Sequence, residues 1–208
     1  MVVMGVLSLM VGLLLPAVGA AVERSRTTAD SAVLRQNVMA VNAYCRDHRG
    51  VYPLSRPLAF HAAPAWYEAV TASGHVGQAS ECDPREFKRS GQVRFTLSVC
   101  MVYTPERMRE GFTVPVDQAV SVAVGEHQVV YPSAKGLMHR AWDRHRQVEH
   151  GGVYFCCTMR VPSPVAMADG SVEVADFRRY HGSNPVVTLD LVGSPIWSTW
   201  GGYRARDK

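Results

Sequence analysis

The chain has 208 residues, a mass of 22.9 kDa, 22 Lys and Arg against 18 Asp and Glu, and a net charge of +4. A hydrophobic share of 47% with 19% charged residues excludes an intrinsically disordered chain. The Lys and Arg residues are scattered and not interleaved with aromatics, which argues against nucleic acid as a partner.

From Met1 to Val22 there is no charged residue, and the first charges are Glu23, Arg24 and Arg26. As a helix this stretch covers roughly 33 Å, about one bilayer core. It is apolar on every face, so it has no polar side to turn to water. Three readings compete. A cleaved secretory signal would use Val18, Gly19 and Ala20 as its small-residue site, but no basic segment precedes the apolar run. In a plain membrane anchor, Arg24 and Arg26 as written would hold the large C-terminal part in the cytoplasm. The third reading rests on the residues after Val22.

Beyond Val22 the helical pattern turns amphipathic, with Leu34, Val38, Val41 and Cys45 on one face. Arg24, Arg26, Asp30, Arg35 and Asn37 are expected at polar positions elsewhere on it. No Gly or Pro interrupts 20–49; Gly50 gives a natural stop and Pro53 prevents continuation. The expectation is one helix of some 48 residues, apolar over 1–22 and amphipathic over 23–49, followed by one globular α+β domain over 50–208.

Residues 51–68 carry Pro53, Pro57 and Pro64 and are expected to be irregular, with a short helix over 65–71 anchored by Trp66 and Tyr67. Residues 73–85 read as loop. Residues 93–103 give the clearest strand: Val93, Phe95, Leu97, Val99, Met101 and Tyr103 alternate with Arg94, Thr96, Ser98, Cys100 and Val102. Residues 120–124 and 128–131, separated by Gly125, Glu126 and His127, look like a hairpin. The polar stretch 132–152 reads as loop and 153–160 as a strand. Residues 164–177 give the strongest hairpin signal, because Asp169-Gly170 suits a two-residue turn needing positive φ. A last strand is expected over 186–192. The tail 195–203, with Trp197 and Trp200, is expected to fold against the domain.

The first fifty residues carry a family resemblance. The run from Val2 to Arg26, then LRQNVMAVNAYCRDHRGVYP, resembles the N-terminal region of type IV pilins and type II secretion pseudopilins. It is most similar to bacterial prepilin-type proteins with a C-terminal ADGSV motif. Pro16-Ala17-Val18 fits the family's mid-membrane proline, and Tyr44, Gly50, Tyr52 and Pro53 fit the close of its amphipathic half. Ala168-Asp169-Gly170-Ser171-Val172 supplies the second motif. The resemblance implies a pilin-like α+β fold, with a long N-terminal helix as spine and a mostly antiparallel sheet laid on its amphipathic half. It also implies a structural subunit, held in the inner membrane with its domain extracytoplasmic and assembled with other pilin or pseudopilin subunits through that helix. Gly5, Gly12, Pro16, Ala17, Gly19 and Ala20 would allow close helix approach.

The family's processing site, a Gly before Phe-Thr-Leu with a glutamate soon after, is absent here. Aligned on Pro16, Met1 falls several residues inside the family's mature helix. Either the true start lies further upstream or this subunit has lost its processing and assembly residues; the favoured expectation is an in-frame upstream extension coding for a basic leader, which would also reverse the topology set by Arg24 and Arg26.

No residue pattern argues for an enzyme. Ser171 and Ser183 lie outside any G-x-S-x-G elbow, and there is no Gly-rich phosphate loop. His139, His145 and His150, with Asp143 and Glu149, match no metal-ligand spacing and read as a solvated loop. No cofactor is expected; calcium in an acidic loop, known in some pseudopilins, is the one candidate, without mappable ligands. Of five cysteines, Cys82 and Cys100 form the most plausible bridge if the domain is exported. Cys45 reads as a small core residue, and the adjacent Cys156 and Cys157 as separate packed thiols. The alternative to a fibre subunit is a secreted or tethered binding module whose apolar segment ends in a break near Ala20.

Overall fold

A computed structural model describes residues 2–53, 62–75, 95–101, 103–106, 122–140, 162–176, 179–181 and 199–208. The elements are α1 (Val2–Asp47), α2 (Ala62–Ala72), β1 (Phe95–Leu97), β2 (Gly136–Arg140), β3 (Ser163–Met167) and β4 (Val172–Ala175). The four strands form one antiparallel sheet in the order β1-β2-β3-β4. The architecture is α+β: a long N-terminal helix and a small antiparallel sheet.

Helix α1 runs 46 residues without interruption, through Pro16 and past Val22. Pro16 has no N–H, so the helical hydrogen bond it would give to Gly12 is missing, a cost tolerated where neighbouring turns hold. From Glu23 the hydroxyls fold back onto the helix: Thr27, Thr28 and Ser31 donate to the carbonyls of Glu23, Arg24 and Thr27. The helix ends on two successive left-handed residues, Arg49 (φ 58°) and Gly50 (φ 73°). The Gly50 N–H reaches back to the Cys45 carbonyl at 2.7 Å, the six-to-one bond of a Schellman ending.

The buried stripe of α1 is Leu34, Val38, Val41 and Cys45, each 0% exposed. Asp30 and Asn37, expected on the polar side, are buried too. They belong to the same stripe because 30, 34, 37 and 41 repeat at helical spacing. On the sheet, the pairings run Leu97 to Met138 to Ala166 to Val172, one row across all four strands. That row joins the α1 stripe, Phe95, Trp66 and Val70 in the main core. The opposite face holds a second cluster of Val165, Met167, Ala175 and Tyr180, so β3 is buried at every position. Helix α2 is longer than the expected 65–71; Trp66 is fully buried and donates its indole N–H to the Phe95 carbonyl at 3.2 Å, while Tyr67 is half-buried.

Several sequence expectations are corrected. The strand over 93–103 is only Phe95–Leu97 among the described residues; Val99–Met101 is a 3₁₀ turn. Alternation fails there because Ser98 and Cys100 are buried as well, with the Cys100 thiol facing the Thr199 carbonyl at 3.9 Å. The hairpin around 125–127 does not form: Glu126–Gln128 is a 3₁₀ turn. Its flanks pair with the helix exit instead, Tyr52 N–H to Val124 O at 2.9 Å and Glu126 N–H to Gly50 O at 2.7 Å. The loop assigned to 132–152 contains strand β2. A bulge at Leu137 turns both Leu137 and Met138 into the main core, which hides the period of two. The hairpin at Asp169-Gly170 is present, but its loop has three residues. Met167 N–H pairs with Ser171 O, Gly170 N–H with Met167 O, and only Gly170 has positive φ (88°). In the tail, Thr199 and Tyr203 are buried whereas Trp200 is exposed. The strands expected over 153–160 and 186–192, and Trp197, lie outside the described residues.

Candidate functional site

Two halves of one helix behave oppositely. Leu9 is 66%, Leu13 68% and Leu15 66% exposed, against 0% for Leu34 and Val38. Among the described residues, no part of the globular domain covers the apolar half, and α1 is long and apolar enough to cross a membrane. Exposing a row of Leu, Val and Met to water forfeits about 1.5–3 kcal/mol per large side chain relative to burial, so this surface calls for an apolar environment.

Gly5, Gly12 and Gly19 recur every seven residues and lie on one face over roughly 21 Å of helix. A Cβ built on any of the three meets nothing within 4 Å. Pro16, Ala17 and Ala20 are exposed on the same half. All six residues named in the sequence are therefore open to whatever surrounds the apolar half, and the four packing residues Leu34, Val38, Val41 and Cys45 are covered by the sheet and α2.

The helix exit is held by buried polar groups. The Cys45 thiol hydrogen-bonds the Glu126 carboxylate; burial, the nearby Glu126 charge and that bond push its pKa up to about 12, so it stays a protonated thiol. Burial likewise pushes Tyr52 above its usual range, with Cys45 and Glu126 adding to it. Beside them, His75 bridges Ser73 Oγ and Asp47 Oδ2, at 2.7 Å each. This order of Ser, His and Asp resembles a nucleophilic triad, but the cluster sits at the C-terminal ends of α1 and α2, where carbonyls rather than N–H groups point outward. Ser73 gives its hydroxyl proton to Val70 O at 3.0 Å. Among the described residues the group joins the two helix ends as a clasp. His48 stacks on Tyr44 with ring centroids 3.8 Å apart.

Asp169 is exposed, and its carboxylate accepts from the Ser171 N–H (2.9 Å) and hydroxyl (2.6 Å), closing the turn before Val172. Gly170 packs near Asn42 of α1, placing the hairpin tip against the helix.

His139, expected in a solvated loop, is instead a fully buried residue of β2, because it pairs with Val165 on the sheet's second covered face. His145, His150, Asp143 and Glu149 lie outside the described residues, as does Cys82, the expected partner of Cys100. Among the described residues no three His, Cys, Asp or Glu are grouped to hold a metal ion.

Local pattern carried no signal for the buried charged pair of the domain. Lys135 and Asp207 are both 0% exposed, with Nζ 3.1 and 3.0 Å from the two carboxylate oxygens. Gly136 N–H donates to the same carboxylate at 2.7 Å, and Thr199 donates its hydroxyl to it. Next to this node, Glu173 accepts from Tyr180 (2.7 Å) and from Lys208.

The chain matches no protein-family model, no curated protein and no solved structure.

Proposed function

We propose that the chain is a structural subunit of the pilin or pseudopilin type, resident in the inner membrane and assembled through the apolar half of α1 into a pilus or secretion pseudopilus. The observation that supports this most is the continuity of α1 from Val2 to Asp47. A tether has no need of a helix that passes unbroken from an apolar span into the core of a folded domain. An assembling spine does need it, because rigid continuity fixes where each domain sits relative to the helix bundle. In this reading the helix leaves lipid for a bundle of the same or related helices, where Gly5, Gly12 and Gly19 permit close backbone approach. The domain over 50–208 decorates the outside on the extracytoplasmic side. The second reading, a membrane-tethered binding module, keeps the span but needs no helix-helix contact.

A photo-crosslinking side chain at position 12 or 14 of the membrane-embedded full chain separates the two. Assembly predicts adducts to a second helix from Gly12, on the glycine face, and few from Leu14, on the opposite face. A tether predicts lipid adducts alone at both positions, and that result would remove the assembly reading.

A further inference from the structure

We propose that Lys135 and Asp207 condense to an intramolecular isopeptide bond. The two side chains are sealed from water, and Nζ lies 3.1 and 3.0 Å from the two carboxylate oxygens. That places the amine within the near-attack range of the carboxyl carbon, about 3–3.5 Å. Both backbones are pinned: Asp207 N–H donates to Ala134 O at 2.8 Å, Gly136 N–H holds the carboxylate at 2.7 Å, and His181 N–H holds the Asp207 carbonyl at 2.7 Å. The fold has thus already met the entropic cost of bringing the partners together. It has also buried a charged pair, and taking two charges out of water is costly. Amide formation removes both charges.

The surrounding groups fit the step. A proton passes from the ammonium to the carboxylate along their contact, giving a neutral amine and a neutral acid. The nitrogen lone pair then forms the C–N bond at Cγ, and the carbonyl electrons move onto the oxygen that faces the Gly136 N–H, which is placed to stabilise it. When this carbonyl reforms, the bond from Cγ to the other oxygen, the one the Thr199 hydroxyl touches, breaks. That oxygen leaves as water, carrying the proton already transferred and a second passed to it directly from the nitrogen 3.1 Å away. Ammonium and carboxylate become an amide and one water; charge balances, and no oxidant or other reactant is needed. The product ties residues 72 apart in sequence and fixes the segment 199–208 to β2. It is independent of the assembly reading.

Intact mass spectrometry of the folded, reduced full chain tests this. The expected mass is one water below that of the sequence. A tryptic digest should yield a branched peptide in which Asp207-Lys208 hangs on an uncleaved Lys135. Lys135→Arg keeps a cation beside Asp207 but offers no competent amine, and should show the full mass. A wild-type chain at full mass with ordinary cleavage after Lys135 overturns the proposal. So does loss of water in Lys135→Arg, which would place the dehydration elsewhere.

Discussion

Arg49 occupies a left-handed conformation (φ 58°) that costs a non-glycine residue about 1–2 kcal/mol. Its side chain is exposed, so little packing is lost with it. Arg49→Gly should therefore raise the unfolding free energy of the domain by about 1 kcal/mol, read by denaturant titration; a destabilised variant would show that the guanidinium has an unrecognised role. Glu173 carries a pH dependence. Burial alone would raise its pKa, but hydrogen bonds from Lys208 and Tyr180 and the charges of Lys208 and Arg179 outweigh it and hold the carboxyl below 4.5. Its native pKa is thus depressed, and the stability it contributes is complete above 4.5 and lost as pH falls through the lowered native value. Glu173→Gln should flatten the acid limb of the stability curve below pH 4.5 and leave its shape near neutrality unchanged. An unchanged acid limb would mean that the Tyr180 and Lys208 contacts do not persist in solution. At this scale the sequence was partly informative: Asp169 and Gly170 announce a turn by type alone. The pairing of Lys135 with Asp207 leaves no local trace, because nothing in a window around either residue differs from an ordinary surface charge.

At the scale of elements, α1 was legible because two strong signals coincide in it, an unbroken apolar run and a stripe at helical spacing. Its inner face is more polar than the stripe suggests, since Asp30 and Asn37 are buried among Leu34 and Val41. Strand β2 was illegible for a physical reason. It is short, covered on both faces, bulged at Leu137, preceded by Lys135 and closed by His139 and Arg140, so neither alternation nor an apolar run marks it. The 93–103 pattern misled in the other direction: its alternating residues are apolar, but the chain turns at Ser98 to meet the segment 199–208. The packing of α1 on the sheet gives a sharp prediction. Val38 and Val41 are fully buried in the main core, and Val38→Asp or Val41→Asp would place a carboxylate there without a partner. The cost is several kcal/mol, of the order of a small domain's whole stability. Circular dichroism should show loss of the cooperative unfolding transition while the apolar half of the helix still partitions to membrane. A normally folded Val38→Asp chain would mean that α1 is not the spine of this core.

At the scale of the whole molecule, the chain divides its work along one helix. Among the described residues the core is assembled from 23–53, α2, the sheet, Met101, Val124, Val129 and Tyr203, and none of its buried side chains comes from the first 22 positions. The apolar half is exposed on every described face and has no packing partner among the described residues of the domain. Folding and association should therefore separate cleanly at Glu23. The most direct test compares the full chain with residues 23–208 alone by circular dichroism, membrane flotation and sedimentation. The account predicts that 23–208 is folded, monomeric and absent from membranes, whereas the full chain floats with membranes and associates through its helix. A shortened chain that is unfolded, or that still binds membranes or self-associates, would contradict it.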